Sequence, residues 1–269
     1  MLVNVTIPVF NEEHQLPLCI PKLHGFLARH FRFRFEIVIA DNGSTDQTLE
    51  IAGQLARKHE GVRVIHLDRK GRGRVLKCVW SETPAHILSY MDADLSTDLE
   101  AFPPLIESLL GGGFDLAAGS RLLKPSLTSR GMKREIISRG YNRIVRFLFQ
   151  TRFSDAQCGF KAITRQAAEE LLSWVDDNDW FLDTELLILA EKLGYRLFEL
   201  PVRWVDEPHS HVKIWKTSVD DIKGLLRVRR NFAAGNYAVL VQRRREAAIS
   251  GPVQGPEGVL EVRPKGMTT

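Results

Sequence analysis

The sequence predicts an α/β protein built on a doubly wound, mostly parallel sheet flanked by helices, with amphipathic helices toward the C-terminus. Three observations support this. Short β-branched runs alternate with stretches of helical periodicity from Leu2 to Gly119, the pattern of parallel sheets covered on both faces. The runs stop abruptly on polar or charged residues: Asn11-Glu12, Asp41, Asp92-Ala93-Asp94 and Arg121 each follow a strand. Ligands of such sheets collect beyond the carboxyl ends of the strands, so these residues should share one rim. A chain of 269 residues, 44% hydrophobic and 26% charged, is also large enough to bury a substantial core.

In chain order, Leu2 to Val9 is the opening strand, ended by Pro8 and the polar turn Asn11-Glu12-Glu13. A helix over Leu16 to Arg29 leads to a second strand, Phe35 to Ala40. Asn42-Gly43 turns the chain, and Ser44 with Gln47 resembles a capping box for a helix with Leu49, Ile51, Ala52, Leu55 and Ala56 on its apolar face. Val62 to Leu67 is the third strand. The basic, glycine-containing loop Asp68 to Arg74 then precedes a helix over Val75 to Trp80. Its backbone could approach a phosphate, or it could be a solvated loop. His86 to Met91 is the fourth strand; a helix over Leu99 to Leu110, capped within Ser96-Thr97-Asp98, separates it from the fifth, Phe114 to Gly119.

Beyond Ser120 the character changes. Met132 to Phe153 is amphipathic and basic, Asp155 to Lys161 is turn-rich, and helices follow near Gln166 to Trp174 and Phe181 to Leu193. Tyr195 to Val205 is strand-like, and Lys216 to Phe232 is a second basic amphipathic helix. We expect one domain over 1–232, with a ligand-binding half at 1–121 and a second half at 122–232, and a disordered tail in the extension 233–269.

The formal charge of +4 is unevenly spread. Residues 1–120 carry 12 Lys and Arg against 15 Asp and Glu, and the remainder 25 against 18, so the second half should meet something anionic. Nucleic acid has no support, since finger, RNP-like and basic-zipper patterns are missing. Cys19, Cys78 and Cys158 lack metal-ligand spacing, which points to neither zinc nor a disulfide framework and suits a reducing, cytoplasmic setting. A strand beginning by Leu2 leaves no room for a signal peptide, and no uncharged apolar run approaches the ~20 residues of a membrane span.

The chemistry centres on Asp92 and Asp94. Side chains two apart on an extended segment point the same way. Two such charges at ~4 Å, with an effective dielectric of ~20, repel by ~4 kcal/mol, so a cation or proton should sit between them. Few hard oxygen ligands with open positions suit Mg²⁺ or Mn²⁺ shared with phosphate oxygens. One aspartate could instead merely cap the following helix.

Five motifs occur in order: Thr6-Ile7-Pro8-Val9-Phe10-Asn11-Glu12, Ala40-Asp41-Asn42-Gly43-Ser44-Thr45-Asp46, Met91-Asp92-Ala93-Asp94-Leu95, Gly119-Ser120-Arg121 and Asp155-Ala156-Gln157-Cys158-Gly159-Phe160-Lys161. Together they resemble glycosyltransferase family 2, with its nucleotide-sugar-binding GT-A fold, and within it the polyprenyl (dolichyl) phosphate sugar transferases, over residues 2 to 230. The resemblance implies that Pro8, Asn11, Glu12 and Asp41 surround the nucleotide, and that Asp92 and Asp94 hold Mg²⁺ or Mn²⁺ on the donor diphosphate. It also implies that Arg121 faces the reaction centre, and that Arg139, Ser210, His211 and Lys213 meet an acceptor phosphate. Two departures stand out: His211 replaces the usual Lys or Arg, and Asn42 stands where a second Asp is common.

The implied activity is inverting transfer of a hexose from a nucleotide sugar, UDP-glucose before GDP-mannose, to a polyprenyl monophosphate at the cytosolic membrane face. A lipid phosphate is already anionic and needs no general base, whereas a hydroxyl acceptor would need one, for which Asp183 and Glu185 are candidates. A non-catalytic nucleotide-sugar-binding or adaptor protein is the third alternative. The two basic amphipathic stretches fit peripheral association with an anionic bilayer, the C-terminal one contributing only ~3 kcal/mol. A separate membrane protein could supply an anchor.

Overall fold

The structure is a computed structural model that describes residues 1–124, 126–129, 132–205 and 214–242. Leu2–Val9 (β1), Arg34–Asp41 (β2) and Val62–His66 (β3) pair in parallel, with Thr6 beside Val38 and Ile39 beside Val64. Leu16–His30 (α1) and Thr48–Lys58 (α2) connect them. After Arg72–Glu82 (α3) the chain returns to the far side of β1, where Ile87–Met91 (β4) runs parallel to it. The strand order therefore reverses between β1 and β4, and a crevice opens beyond their carboxyl ends.

Phe102–Leu110 (α4) leads to Leu116–Ser120 (β5), and Leu127–Ser129 (β6) and Met132–Phe149 (α5) follow. Phe160–Thr164 (β7) is antiparallel to both neighbours, β4 and β5. Then come Arg165–Leu171 (α6), Leu182–Lys192 (α7), Leu197–Pro201 (β8), Arg203–Val205 (β9) and Ile214–Ala233 (α8). The sheet order is β3-β2-β1-β4-β7-β5-β8, and β6 and β9 form a second, two-stranded sheet.

Alternation along the strands divides the core into two layers. Ile37 and Ile39 of β2 and Ile87 and Met91 of β4 pack with α1, α2 and α4 on one face. Val38, Ala40, Leu88 and Tyr90 pack with α3, α6 and α7 on the other, with Val145 of α5 and Val228 of α8. Buried polar groups on β1 are paired: Thr6 Oγ1 donates to Asn4 Oδ1 at 2.6 Å, and Asn4 Nδ2 to Glu36 Oε1 at 2.9 Å. Pro8, which has no N–H, lies beyond Thr6, where pairing with β4 ends.

The doubly wound, mostly parallel α/β architecture is the expected one, with local corrections. Phe160 and Lys161 belong to β7, not to a turn. Tyr195 to Val205 breaks at Val202 into β8 and β9. The helix expected from Val75 starts at Arg72. Ser44 and Gln47 form no capping box: Ser44 turns back to Asp41, and Asp46 Oδ1 accepts from Thr48 N at 3.0 Å. Asp98 does cap, accepting from Glu100 N at 3.1 Å. No described helix is long and apolar enough to cross a membrane. The tail expected to be disordered lies, from residue 243 on, outside the described residues.

Candidate active site

The loops after β1 and β2 are laced together at the switch point. Asn11 takes the left-handed conformation at φ 57°. Its amide donates to Ser44 Oγ at 2.9 Å, and its Oδ1 accepts from Thr45 N at 2.8 Å. Glu12 N donates to Thr48 Oγ1 at 2.8 Å, and Gln47 N to Glu13 Oε2 at 2.9 Å. Asn42 Nδ2 donates to Val9 O at 2.7 Å while Oδ1 accepts from Gly71 N at 3.2 Å. Asn42 thus fastens the basic loop to the end of β1.

Asp41 is fully buried, bonded by the Ser44 hydroxyl and by His66 Nδ1 at 2.6 Å. The bond to Asp41 raises the His66 pKa against the opposing effect of burial. Pro8, Asn11, Glu12 and Asp41 are therefore brought together at one rim.

Asp92 and Asp94 follow β4 in a turn, with Leu95 N donating to Asp92 O at 3.1 Å and Ser96 N to Asp94 Oδ1 at 2.9 Å, rather than on the extended segment expected, and they line a crevice with Met91, Leu95, Ser96 and Thr97. Asp92 N donates to Gly159 O at 3.2 Å, and the Asp92 carboxylate lies where a side chain at 159 would start: a Cβ there would be 1.7 Å from Oδ2. Burial, Asp94 and Asp183 raise the Asp92 pKa, with Arg72 opposing. Glu12 is pushed up to about 7 by burial, then by Asp94, Asp46 and Asp92. Repulsion among the carboxylates thus adds to burial at this rim, and a divalent cation would relieve it. Among the described residues no three His, Cys, Asp or Glu side chains converge as a metal cage. Two carboxylates with free positions beside them are the donor set a cation shared with a diphosphate requires.

Arg121 follows β5. Its Nε and Nη2 bind Asp155 at 2.7 and 2.9 Å, and its guanidinium lies 5.5 Å from the Trp204 ring. Burial alone would raise the Asp155 pKa; Arg121 outweighs it and holds the carboxyl down at about 2. Arg139 is apart from this group, on the exposed side of α5 with Nε bonded to Glu135. Ser210, His211 and Lys213 lie outside the described residues.

Sequence reasoning missed Arg72. Nη2 binds Asp92 Oδ1 and Nη1 binds Asp183 Oδ2, both at 2.8 Å, between the rings of Tyr90 and Trp180. Buried Lys161 adds a second cation 3.7 Å from Asp183, and the Tyr90 hydroxyl donates to the same carboxylate. Asp183 is therefore occupied on both oxygens. Glu185, on the next face of α7, is fully buried and takes Arg227 Nη2 at 2.6 Å. The signal for Arg72 was Gly71-Arg72-Gly73: a Cβ at 71 or 73 would come within 2.8 Å of Asn178 backbone atoms, so the glycines let the basic loop press against the segment before α7.

Residues 4–172 match the model of glycosyl transferase family 2. The Haloferax volcanii glycosyltransferase AglD is 38% identical over 83% of this chain, which spans only 35% of that protein. The dolichyl-phosphate beta-glucosyltransferase of Mus musculus is 31% identical over 90% of this chain and 79% of its own length. The Mycobacterium tuberculosis glucosyl-3-phosphoglycerate synthase, solved with Mn²⁺, UDP and glucosyl-3-phosphoglycerate, superposes with a TM-score of 0.64 at 20% identity, over 84% of this chain and 79% of that one. The GT-A fold expected from the motifs is thus the fold observed, and the chain belongs to glycosyl transferase family 2.

Proposed function

We propose that this chain is an inverting, metal-dependent hexosyltransferase that moves a sugar, glucose from UDP-glucose before mannose from GDP-mannose, onto a polyprenyl monophosphate. The observation that carries it is the pair Asp92 and Asp94 at the switch-point crevice, with buried Arg72 bonded to Asp92 and Glu12 raised first by burial and then by the carboxylates of Asp94, Asp46 and Asp92. Residues 1–121 are the donor half, in which Pro8, Asn11, Glu12 and Asp41 frame the nucleotide. Asp92 and Asp94 would hold Mg²⁺ or Mn²⁺, which when bound neutralises charge on the leaving diphosphate. Residues 122–232 are the acceptor half.

A phosphate monoester is ionised near pH 7 and can attack the sugar C1 itself. The new bond forms between a phosphate oxygen and C1 as the bond from C1 to the diphosphate breaks. The protein supplies positioning and fixed positive charge, with Arg121 near the reaction centre and Arg139, Ser210, His211 and Lys213 toward the acceptor phosphate. No general base is required. Asp183 and Glu185, both buried and salt-bridged, are poorly placed to serve a hydroxyl acceptor.

Similarity to the mouse dolichyl-phosphate beta-glucosyltransferase supports the lipid acceptor. So do the outer faces of α5 and α8, which expose Ile136, Ile144, Phe147, Ile222 and Leu226 beside exposed Arg143, Arg146, Lys223 and Arg229. Such faces suit peripheral binding to an anionic bilayer from its cytoplasmic side, with or without a membrane-protein partner. Incubation with labelled UDP-glucose or GDP-mannose, polyprenyl phosphate and Mn²⁺ or Mg²⁺ should give butanol-extractable sugar lipid. If neither donor labels the lipid, the reading is wrong.

A further inference from the structure

The loop Asp155–Gly159 holds three separate parts of the molecule within five residues. Asp155 clamps Arg121. Gly159 seats the Asp92 carboxylate and accepts the Asp92 amide. Between them, Gln157 Nε2 reaches out to α8 and donates to Asp221 Oδ2 at 2.9 Å. On the other side Asn142 of α5, also buried, accepts Ala156 N at 2.8 Å. The two amphipathic helices thus each grip the loop that sets the positions of Asp92 and Arg121.

Asp221 is an unexpected residue for this place. It is 4% exposed, and burial together with Asp177, Asp220 and Asp183 pushes its carboxyl up to about 7. An apolar residue would fill the same helix position without that penalty. What the carboxylate adds is the directed bond to Gln157. Helix α8 is otherwise seated closely: a Cβ at Gly224 would fall 2.4 Å from the Phe181 ring, and Arg227 is bonded to Glu185. Seating of α8 and placement of the loop are therefore one mechanical unit.

We propose that Asp221 is a positioning residue: through Gln157 it fixes the Asp155–Gly159 loop, so that the seating of α8 on the protein sets the geometry of Asp92 and Arg121. An event on the acceptor-side helix then reaches the donor site through one hydrogen bond and two residues of backbone. The inference rests on the donor-site reading above only for what Asp92 binds; the mechanical link itself is independent of any ligand.

The test uses the full chain as wild type, Asp221→Ala, Asp221→Asn, Gln157→Ala and the double Ala variant. Without ligand, amide hydrogen exchange at residues 92–95 and 155–161 should quicken about tenfold in each single Ala variant, the loss expected from one hydrogen bond to a charged group. The amides of β1 and β2 should be unchanged, and the double variant should exchange no faster than either single one. Asp221→Asn keeps an accepting oxygen and should retain the protection. With UDP and Mn²⁺ as the probe, calorimetry should show about tenfold weaker binding in the Ala variants and none of that loss in Asp221→Asn. Unchanged exchange in the loop, equal quickening in β1 and β2, or multiplying effects in the double variant would each overturn the coupling. A wild type that fails to bind UDP with Mn²⁺ overturns the donor reading instead, and the exchange arm still decides the coupling.

Discussion

The rim at the ends of β1, β2 and β4 and the outer faces of α5 and α8, the proposed donor and acceptor sides, are built by different means. At the rim, backbone amides and short side chains interlock: Asn11 with Ser44 and Thr45, Glu12 with Thr48, Asn42 with Val9 and Gly71. Such a site is organised before any ligand arrives, and its selectivity comes from directional bonds. On α5 and α8 the outward residues are apolar side chains and exposed cations, with Phe147 83% exposed. These faces suit a fluid, non-directional partner. Charge asymmetry follows the same division: in the proposed function the acidic rim takes a cation and the basic helices an anionic surface.

Asp92→Asn is the strongest way to break that comparison. Turnover should fall by about a thousandfold, the scale of removing one preorganised electrostatic contact, while binding to anionic vesicles changes less than about twofold. Comparable loss of both would mean that the two regions do not divide the work. Gly159→Ala should come next. Its Cβ would overlap Asp92 Oδ2 at 1.7 Å, so the carboxylate must leave its seat. Turnover should drop by about a hundredfold with only ~1–3 kcal/mol lost from denaturant stability. Wild-type turnover in this variant would show that the position of Asp92 is not limiting.

These two positions also show what the sequence could and could not reveal. Strand ends were legible because β1, β2, β4 and β5 are apolar runs ended by polar groups, and a parallel sheet collects those ends on one rim. The strand β7 was not legible. Lys161 interrupts its apolar pattern, and burial of that ammonium becomes tolerable through the Cys158 carbonyl, the Tyr90 hydroxyl and the carboxylate of Asp183, from a helix after it in sequence. Arg72 was hidden for the same reason. A cation between glycines looks solvated until Asp92 and Asp183, 20 and 111 residues away, close on it. Local pattern finds groups that face a ligand, whereas groups that hold them depend on long-range pairing.

Phe147 tests the acceptor side of the comparison. With 83% of its surface exposed on α5, Phe147→Ser should weaken partition into anionic vesicles by about tenfold, near the ~1.5 kcal/mol lower bound for withdrawing a large apolar side chain. Binding of UDP with Mn²⁺, followed by calorimetry, should not change. A variant that loses nucleotide binding as well would show that α5 shapes the rim directly.

A further comparison sets two carboxyls side by side, one in each region, both raised to about 7: Glu12 at the rim and Asp221 on α8. A carboxyl whose pKa is higher folded than unfolded binds its proton more tightly in the native state. Stability therefore falls as pH rises, for Asp221 between its ordinary 3.8 and about 7. Asp221→Asn removes that slope, so the variant should match wild type at about pH 4 and exceed it by on the order of 1–3 kcal/mol at about pH 8, read as a shift in Tm. The slope that remains in Asp221→Asn contains the share of Glu12, whose raised pKa comes first from burial and then from Asp94, Asp46 and Asp92. A cation at Asp92 and Asp94 would cancel much of that field, so saturating Mn²⁺ with UDP should flatten the Glu12 share. The difference between wild type and Asp221→Asn should survive, because the Asp221 shift comes first from burial and then from Asp177, Asp220 and Asp183. If Mn²⁺ with UDP erased both shares equally, the two carboxyls would belong to one electrostatic site and the separation of rim from helices would be wrong.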